Sequence, residues 1–508
     1  MTTRRAVLKG GAAALALAGL GAAGAASSSA LAGKTEWERL QRRLTGRLVL
    51  PSSGDYDLAK QLHRTMFDGI RPAGVAYCET VGDVRACLSF AQHNGVPAVP
   101  RSGGHSYGGY STTEGLVIDV SRLNTVQVGE HATVVGPGAQ LTDLVDAAGA
   151  HGVGLASGIC PTVAMGGYLQ GGGIGWQTRS LGLGCDSLES VQVVLADGSV
   201  VTCSEHQHQH QDLFWALRGG GGGNFGIVTR YERRNSTIPG MVNYTLAWDW
   251  DHVKDVVEGW QRWLPGAPRE MSGRCLLGLL NAAPDATPLL ITDGTFLGSP
   301  EDLDAHLDAL VSAIGRAPAA RDAEDLGFRD GMMSWFKCSD KTVAQCHRVG
   351  HNPEATLPRA GFQIDRSRLF KEAVPSSGVD EILAAFDAER RAGHIRFIHL
   401  FALGGAASDV PRTATAYVHR DARFSVDLAT VLPPVMDNDE ERAAARAWID
   451  RAFTVTDQYS AHETYQNYID PDLADWRQAY YAENYPRLVK AKRTYDPHGF
   501  FDFAQSIG

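Results

Sequence analysis

The sequence predicts an α+β protein that folds in two parts. At 508 residues the chain exceeds the length at which one hydrophobic core usually keeps growing, so we expect two domains. The first half alternates short strand patterns and helical patterns around glycine-rich turns. The second half has runs of alternating apolar residues with amphipathic helices between them, which is typical of an antiparallel sheet with helices on one face.

The bulk composition indicates an ordinary folded protein and argues against one class of partner. Hydrophobic residues make up 44% of the chain and charged residues 20%, as in soluble globular proteins. The formal net charge is −10, whereas binding to a phosphate backbone requires a basic face. Nucleic acid is therefore not an expected partner.

The first 32 residues resemble an export signal. Residues 3–9, TRRAVLK, contain a twin arginine, residues 12–26 are small and apolar, and Ala30-Leu31-Ala32 provides a cleavage site of the A-x-A type. The apolar stretch is too rich in alanine and glycine for a stable membrane anchor. Signals of this kind carry folded, often cofactor-loaded proteins through the twin-arginine export machinery. We therefore expect a secreted, extracytoplasmic protein.

Eight cysteines would allow one or two disulfides in that compartment, but the spacing does not indicate the pairing. No CxxC motif or metal-ligand spacing is present, and we expect no metal site. The alternating histidines at 206, 208 and 210 are interpreted as a solvated loop before a helix. The cysteines are Cys78, Cys87, Cys160, Cys185, Cys203, Cys275, Cys338 and Cys346.

Elements of the first half follow from periodicity and turn signals. A helix is predicted from Thr80 to Asn94, where Val81, Val84 and Leu88 fall at helical spacing. The Asp197-Gly198 pair predicts a hairpin turn between two strands. The other predicted elements are strands at 97–100, 116–120, 132–136, 188–195 and 200–202, a strand that opens at Ile227, and helices at 141–150 and 213–217.

The second part begins where the composition shifts at Ile238-Pro239-Gly240. Apolar residues then alternate from Val242 to Trp250, which predicts a half-buried strand. Ser299, followed by Pro300 and two acidic residues, is a strong helix start for the apolar stripe that runs from Leu303 to Ile314. Further predictions are a helix at 253–264 and strands at 289–292, 395–403 and 424–431.

Two glycine-rich turns carry the most chemistry. They occupy residues 100–109 and 158–167, and the second continues into residues 171–176. Glycine lets backbone N–H groups approach a ligand closely, and successive N–H groups form anion-binding concavities. Each turn also holds one soft nucleophile, His105 or Cys160. The turns therefore predict a diphosphate cradle with both nucleophiles aimed at one ligand.

Three common motifs occur in the wrong context. Gly33-Lys34-Thr35 ends like a P-loop, but residue 28, where the first glycine is required, is Ser28. Residues 221–226 satisfy GxGxxG, yet a helix precedes them and a strand follows, the reverse of the dinucleotide-binding order. Residues 104–108 match the GxSxG nucleophile elbow around Ser106, but turn residues rather than a helix follow.

The chain resembles the FAD-linked oxidases related to berberine bridge enzyme, within the vanillyl-alcohol oxidase group. The resemblance covers residues 60–235 and 461–508, and it is specific in both order and spacing. It rests on PRSGGH at 100–105, GICPTV at 158–163, the glycines within 166–173 and 219–226, and the C-terminal motifs YQNY at 465–468, YPRL at 485–488, YDP at 495–497 and QSI at 505–507.

The resemblance implies a fold and a cofactor. The expected divisions are a signal at 1–32, a PCMH-type FAD-binding domain at 60–238, a substrate domain at 239–460, and a C-terminal segment at 461–508 that returns to the FAD domain. FAD is expected to be bicovalent, through its 8α-methyl group on His105 and its C6 on Cys160. The implied FAD-binding residues are Arg101, Ser102, Gly103, Gly104, Ser106, Gly158, Val163, Gly166, Gly167, Tyr168, Gly172, Gly226, Ile227, Val228 and Asn467. Tyr168 departs from the family pattern, in which many plant members have a histidine.

The resemblance also implies a catalytic base. Tyr468 is the expected base, and Tyr465 is the second candidate. Residues 465–468 are interpreted as a strand, in which Tyr468 and Asn467 would point to opposite sides. No glutamate base of the kind that some members use can be placed, so oxidation of an alcohol is favoured.

The implied function is an oxidase that transfers a hydride from an alcohol carbon to FAD and reduces dioxygen to hydrogen peroxide. The substrate would be a sugar or oligosaccharide, or else a glycosylated or polyketide-type metabolite. Two alternatives of other classes stay open at this point. One is a non-catalytic flavin- or metabolite-binding protein, and the other is an α/β-hydrolase that uses Ser106.

Overall fold

Three β-sheets organise the chain in the computed structural model, which describes residues 33–508. The export signal predicted for residues 1–32 lies outside the described residues. The predicted α+β class is confirmed, since two of the sheets are antiparallel throughout and helices cover the largest one. No helix among residues 33–508 is both long enough and apolar enough to cross a bilayer.

The first sheet has four strands in the order β1-β2-β4-β3 and carries the first glycine-rich turn. Strands β2, β4 and β3 are parallel to one another, and β1 is antiparallel to β2. Strand β3 lies at the edge of this sheet and ends at Arg101, where the first glycine-rich turn begins. The strands are β1 Arg47–Val49, β2 Gly74–Tyr77, β3 Ala98–Arg101 and β4 Leu116–Asp119.

The second sheet has five antiparallel strands in the order β5-β6-β9-β7-β8. Its central strand β9 directly follows the run of glycines at 219–226, so the sheet holds that run in place. The strands are β5 Val126–Val128, β6 Ala132–Val135, β7 Leu188–Val194, β8 Val200–Ser204 and β9 Ile227–Arg234.

Short helices connect these two sheets, and their ends agree with the sequence signals. The hydroxyl of Thr80 accepts the backbone N–H of Asp83 at 3.1 Å, and Gly95 ends the helix with a φ of 62°. The helix predicted at 141–150 has those bounds. The helices are α1 Lys34–Arg43, α2 Tyr56–Ala59, α3 Val81–Asn94, α4 Leu141–Ala150, α5 Met165–Gln170, α6 Thr178–Leu181 and α7 Gln211–Ala216.

The third sheet forms the second part of the protein. It has seven antiparallel strands in the order β13-β10-β12-β11-β15-β16-β14. The predicted strand at 242–250 ends earlier, at Ala247, because Trp250 begins a single 3₁₀ turn. The strands are β10 Val242–Ala247, β11 Met271–Leu279, β12 Leu289–Phe296, β13 Ala320–Asp325, β14 Phe362–Phe370, β15 Ile395–Ala402 and β16 Phe424–Leu432.

Amphipathic helices pack on this sheet and on one another. The predicted start at Ser299 is confirmed, since its hydroxyl accepts the N–H of Asp302 and the stripe from Leu303 to Ile314 is buried. The helices are α8 Val253–Trp263, α9 Pro300–Ile314, α10 Gly327–Trp335, α11 Ser376–Asp387 and α12 Asp439–Asp457.

The C-terminal segment runs back from the large sheet to the glycine-rich region of the first part. Its helices are α13 Trp476–Tyr481 and α14 Tyr485–Tyr495. The ammonium of Lys492 donates to the carbonyl of Asn224 at 2.8 Å, and the side chain of Asn224 accepts the N–H of Ile507 at 2.9 Å. These bonds hold the segment against residues 219–226.

A buried carboxylate fastens the start of this segment. Glu463 accepts hydrogen bonds from Lys371 at 2.9 Å, from Arg412 at 2.9 Å and from His419 at 2.8 Å. Burial alone would raise the pKa of Glu463, but these donors hold it well below its ordinary value. Because Tyr465 lies two residues further on, the same carboxylate anchors the tyrosines of the site.

We expect Glu463→Gln to lower the free energy of unfolding by about 3–5 kcal/mol near neutral pH, since it leaves the partly buried Lys371 and Arg412 without their buried anion. A carboxyl group with a depressed pKa contributes stability above its unfolded pKa of about 4.3, and this contribution falls as the pH drops below that value. Thermal unfolding of both proteins should therefore differ at pH 7 and converge in acid. Glu372→Gln, at an exposed ion pair, is the matched control. Equal melting temperatures at pH 7 would contradict this role.

A long connection between α10 and β14 crosses the first part of the protein. A disulfide between Cys338 and Cys346 closes its first loop, and the other described cysteines are free. Further along, the guanidinium of Arg359 donates to the carboxylate of Asp68. This connection, residues 338–361, is called the crossing loop below.

Candidate active site

A cavity of about 330 Å³ lies where both glycine-rich turns meet the C-terminal segment, a size that is common for cofactor and substrate sites. Its wall includes one residue from the large sheet, Gln363 on the edge strand β14. The main contributing stretches are residues 98–107, 158–170, 222–228, 465–469 and 501–503.

The two turns pack directly on each other. A Cβ atom at Gly103 would come within 2.8 Å of the backbone nitrogen of Ala164, so only glycine allows this approach. Gly104 has a φ of 67°, which favours glycine as well. The side chain of Arg101 points to Asp119 and the carbonyl of Ala59, so only the backbone of Arg101 remains to serve a ligand of the large cavity.

One hydroxyl group brings the two predicted tethers together. The Nε2 atom of His105 lies 2.9 Å from the Oγ1 of Thr162, and the Sγ of Cys160 lies 3.7 Å from the same oxygen. Both nucleophiles also line the cavity. An imidazole and a thiol from turns more than 50 residues apart therefore face one small region of the cavity wall.

The surroundings of His105 favour its neutral, nucleophilic form. Its ring stacks on that of His63, with centroids 4.0 Å apart and planes 20° apart. Burial holds the pKa of His105 well below its ordinary value, and the charges of His63, Arg348 and Arg64 act in the same direction. Burial likewise lowers the pKa of His63 to about 4. Both imidazoles are thus uncharged at neutral pH.

The surroundings of Cys160 favour its nucleophilic form less than those of His105 do. Burial raises the pKa of its thiol, although hydrogen bonds from Thr162 and from the N–H of Val163 oppose that effect. The thiolate is therefore a minor form at neutral pH.

Glycines form the floor of the cavity. Gly167 lies on the short helix α5, and a Cβ atom there would meet nothing within 4 Å. The Cβ position of Gly222 would face the Cα of Gly167 at 3.7 Å, so the two glycine runs line the same channel. A ligand with an extended anionic part can approach the bare backbone on both sides, which is the requirement of a dinucleotide such as FAD.

Gly167→Val is expected to lower the FAD content of the purified protein several-fold, because the added side chain enters the channel and not the packed core. The ratio of flavin absorbance to protein absorbance measures the effect, and far-ultraviolet circular dichroism should stay unchanged. Gly69→Val is the control, since Gly69 is exposed and also has open space at its Cβ position. An unchanged flavin ratio in Gly167→Val would contradict the position of the channel.

The strand predicted for residues 465–468 is wrong. These residues form a turn, in which the N–H of Tyr468 donates to the carbonyl of Tyr465 at 2.8 Å. The turn sets the two rings in an edge-to-face contact with centroids 5.0 Å apart. Both tyrosines and Asn467 therefore line the same cavity, which alternation along a strand would have prevented.

The oxygen of Tyr465 accepts three N–H groups. They come from the backbone of Gly173 at 3.0 Å, from the backbone of Ile174 at 3.2 Å and from the side chain of Asn467 at 2.8 Å. Burial raises the pKa of Tyr465 to about 12, although these donors act in the opposite direction. The hydroxyl is thus tied to the backbone of the second glycine-rich turn.

Tyr468 has fewer constraints on its hydroxyl. Its ring stacks in parallel on that of Tyr107, with centroids 5.4 Å apart, and the guanidinium of Arg64 lies 3.8 Å from the Tyr107 ring centroid. Burial, followed by Tyr107 and Asp427, raises the pKa of Tyr468 well above its ordinary value. This phenol therefore keeps its proton at neutral pH.

A pair of carboxyl groups lies behind this stack. Asp365 is ion-paired with Arg64 at 2.5 Å, whereas the Oδ1 atom of Asp427 is buried without a hydrogen-bond partner. Burial and the nearby Asp365 raise the pKa of Asp427 well above its ordinary value. Arg64 is a cation near the predicted base, but Asp365 neutralises it.

Nearly all of the predicted site residues lie on the wall of the cavity. The exception is Gly172, which has a φ of 115° and whose Cβ position would meet the Tyr417 ring at 2.6 Å. Glycine is therefore required at this position by the backbone conformation and by packing against Tyr417, not by contact with a ligand. The residues on the wall are Arg101, Ser102, Gly103, Gly104, His105, Ser106, Gly158, Cys160, Val163, Gly166, Gly167, Tyr168, Gly226, Ile227, Val228, Tyr465, Asn467 and Tyr468.

Other residues of the site were not found from the sequence. Thr162 and Tyr107 lie inside the two glycine-rich turns. Their positions close to Cys160 and His105 in the sequence could have identified them as site residues. His63, Arg64 and Gln363 come from stretches without a motif. Phe501 and Phe503, in the C-terminal segment, also line the cavity.

Two of the rejected motifs lie in the structural contexts that the sequence predicted. The Oγ of Ser106 accepts the N–H of Tyr110 at 3.0 Å, and turns rather than a helix follow, so no nucleophile elbow is present there. Helix α7 precedes the glycines at 221–226 and strand β9 follows them. Throughout residues 33–508, no group of histidine, cysteine, aspartate and glutamate side chains has the arrangement of a metal site.

Comparison with known proteins agrees with this geometry. A family model described as an FAD binding domain matches residues 72–204, and one described as "Berberine and berberine like" matches residues 464–508. The uncharacterized FAD-linked oxidoreductase YgaK of Bacillus subtilis is 30% identical over 474 residues, which cover 92% of this chain and 97% of that protein. The chain belongs to the berberine bridge enzyme-like family of FAD-linked oxidoreductases.

Other members of this family have more specific names. Xylooligosaccharide oxidase of Thermothelomyces thermophilus is 29% identical, over 86% of this chain and 87% of that protein. Aclacinomycin-N/aclacinomycin-A oxidase of Streptomyces galilaeus is 28% identical, over 86% and 85%. Among solved structures, BBE-like 1 of Physcomitrella patens superposes with a TM-score of 0.81 at 25% identity, over 93% of this chain and 99% of that chain.

Family membership identifies FAD as the cofactor and the protein as an enzyme of the oxidoreductase class. The large cavity fits that cofactor, since it joins a glycine-lined channel to a region with an imidazole, a thiol and two phenols.

Proposed function

We propose that this protein is an oxidase of alcohol groups whose FAD is held by two covalent bonds, one to His105 and one to Cys160. The observation that carries the proposal is the contact of both side chains with the hydroxyl of Thr162 at the cavity wall. Two nucleophiles that meet at one hydroxyl can reach neighbouring atoms of a single planar ring. The neutral imidazole of His105 supports its part as a nucleophile.

The chain's own groups bind and orient the reactants. The backbone of both glycine-rich turns would hold the diphosphate, and the hydroxyl of Tyr465 would keep the Gly173 and Ile174 backbone in place. Tyr468 would accept the proton of the substrate hydroxyl. When bound, the flavin would supply the two-electron chemistry: acceptance of a hydride from the alcohol carbon and reduction of dioxygen to hydrogen peroxide.

The raised pKa of Tyr468 specifies how this base would act. Because burial and Asp427 favour the protonated phenol, the fraction of phenolate and hence the rate should rise with pH across the neutral and mildly alkaline range. The side-chain stack of Tyr107 and Arg64 fixes the orientation of the Tyr468 ring.

Two substrate classes are supported by the names of relatives. The xylooligosaccharide oxidase supports a sugar or oligosaccharide, for which we propose oxidation at the anomeric carbon, and the aclacinomycin oxidase supports a glycosylated or polyketide-type metabolite. The experiment is a panel of oligosaccharides and glycosylated polyketides, assayed by oxygen uptake and by peroxide formation. Peroxide with oligosaccharides would favour the first class, and peroxide with the polyketides alone would favour the second. Reduction of the flavin by a substrate without oxygen uptake would identify a dehydrogenase and contradict the oxidase.

We also propose export through the twin-arginine pathway, on the pattern of residues 3–9 and the Ala30-Leu31-Ala32 site. The expected result is a flavin-loaded protein outside the cytoplasm whose N-terminus lies at Gly33. Arg4→Lys with Arg5→Lys should retain the protein in the cytoplasm with its first residues intact. Export that is unaffected by the double substitution would contradict the pathway.

A further inference from the structure

A second, smaller cavity of about 60 Å³ touches the first glycine-rich turn. It shares residues 101–105 with the large cavity, but the rest of its wall is different and is mainly polar. The crossing loop closes it, so the two parts of the protein both contribute. Residues that line only this cavity include Ala59, Tyr77, Asp119, Gln140, Arg348 and His351.

A buried guanidinium group lies at the wall of this cavity. Arg101 is only 4% exposed; its Nε donates to Asp119, and its Nη2 donates to the carbonyl of Ala59 at 2.7 Å. Its Nη1 is buried without a hydrogen bond of normal geometry, and the nearby phenol of Tyr77, which also lines the small cavity, helps to raise the pKa of Arg101. Because Ala59 and Asp119 line the small cavity and not the large one, the guanidinium belongs to the small one. An unpartnered buried donor of this kind is unfavourable unless a ligand or water accepts from it.

The cavity carries an excess of positive charge. Its one carboxylate, Asp119, is paired with Arg101. Two further arginines, Arg348 and the exposed Arg122, form no salt bridge within residues 33–508, and Arg348 has only a long contact of 3.5 Å with the carbonyl of Gln61. Burial and the repulsion of neighbouring arginines lower the pKa of Arg348 to about 10, so it remains charged at neutral pH.

Neutral donors complete the wall. The Nδ1 of His351 lies 3.2 Å from the Nε2 of Gln140, and burial lowers the pKa of His351 to about 4. With the amide donating to Nδ1, the remaining imidazole proton sits on Nε2 and can serve as a donor. His351 also stacks in parallel on His347, which is paired with Asp143 at 3.0 Å. The imidazole is thus fixed between the two parts of the protein.

We propose that this cavity binds one small oxyanion, with phosphate or sulfate as the best fit, between Arg101, Arg348 and Arg122. Planar guanidinium groups bind the oxygens of such anions through charge-assisted hydrogen bonds, and carboxylates share that chemistry. The volume exceeds the ~10–15 Å³ that one water requires. The bound anion would neutralise the excess charge and join the crossing loop to the turn that carries His105.

Phosphate titration of the purified, FAD-loaded protein tests this site. At constant ionic strength, with chloride as the balancing anion, the melting temperature should rise by about 2–4 °C and then saturate. Arg348→Gln should lose the rise, whereas Arg423→Gln, at an exposed ion pair, should keep it. Sulfate should compete with phosphate. If acetate raised the melting temperature and phosphate and sulfate did not, the cavity would be an anion site whose ligand is a carboxylate, and the assignment to phosphate or sulfate would be wrong.

Calorimetric titration of the wild-type protein keeps the test decisive if Arg348→Gln fails to fold. One phosphate bound per FAD-loaded chain would support the site. No heat in the wild type, or an equal rise of melting temperature in Arg348→Gln and Arg423→Gln, would overturn it. Binding to the FAD-free protein alone would also overturn it, because the cavity would then belong to the diphosphate of the cofactor.

Discussion

Tyr468→Phe is expected to lower kcat/KM by about 10²–10⁴-fold while leaving the FAD content unchanged. The substitution removes the oxygen that we propose accepts the substrate proton as a phenolate, and it keeps the ring that stacks on Tyr107. The wild-type rate should rise with pH from 7 upward, because burial raises the pKa of Tyr468, and the variant should lose that rise. Stopped-flow reduction of the flavin under anaerobic conditions measures the step directly.

Two companion variants separate the base from its surroundings. Tyr465→Phe should have a smaller effect on the reductive step and a larger one on stability, because its oxygen holds the N–H groups of Gly173 and Ile174. Tyr459→Phe, whose hydroxyl lies at the surface against Glu381, should change neither. A greater loss of reduction rate in Tyr465→Phe than in Tyr468→Phe would make Tyr465 the base.

The second large effect is expected from the double substitution His105→Ala with Cys160→Ala. Acid precipitation should release all of the flavin from this variant and none from the wild type. Each single variant should keep the flavin attached through the other residue, and Cys160→Ala should also alter the visible spectrum. The physical reason is that both nucleophiles contact the one hydroxyl of Thr162 and so face the same ligand.

The controls for this experiment are residues of the same types elsewhere in the chain. Cys203 is a buried free thiol whose Sγ contacts the carbonyl of Val191, and His131 is exposed. Cys203→Ala and His131→Ala should retain the covalent flavin. Flavin that remains attached in the double variant would show that other residues form the bonds.

Local signals in the sequence predicted many elements well. The helices at 141–150 and 300–314 were placed correctly, because caps and apolar periodicity act over a few residues. The two glycine-rich turns were recognisable because close backbone approach excludes every other residue type at positions such as Gly103. The motifs that contain His105, Cys160 and Tyr468 also consist of a few consecutive residues, so they could be recognised in the sequence.

The rest of the site depends on contacts that no local pattern contains. Arg64 and Asp365 are 301 residues apart and meet only because the crossing loop brings the large sheet against the first part. The prediction of a strand at 465–468 was wrong because four residues are too few for a side-chain period to distinguish a strand from a turn. The bond that decides between them is the 2.8 Å contact of the Tyr468 N–H with the Tyr465 carbonyl.

The central claim, a flavin held by His105 and Cys160, is tested most directly by the intact mass of the acid-denatured protein, followed by peptide mapping. The account predicts a mass increase equal to one FAD and a single cross-linked species that joins the peptides containing His105 and Cys160. An adduct on His105 alone would leave Cys160 as a packed thiol. A yellow protein that loses all of its flavin on denaturation would contradict the covalent assignment altogether.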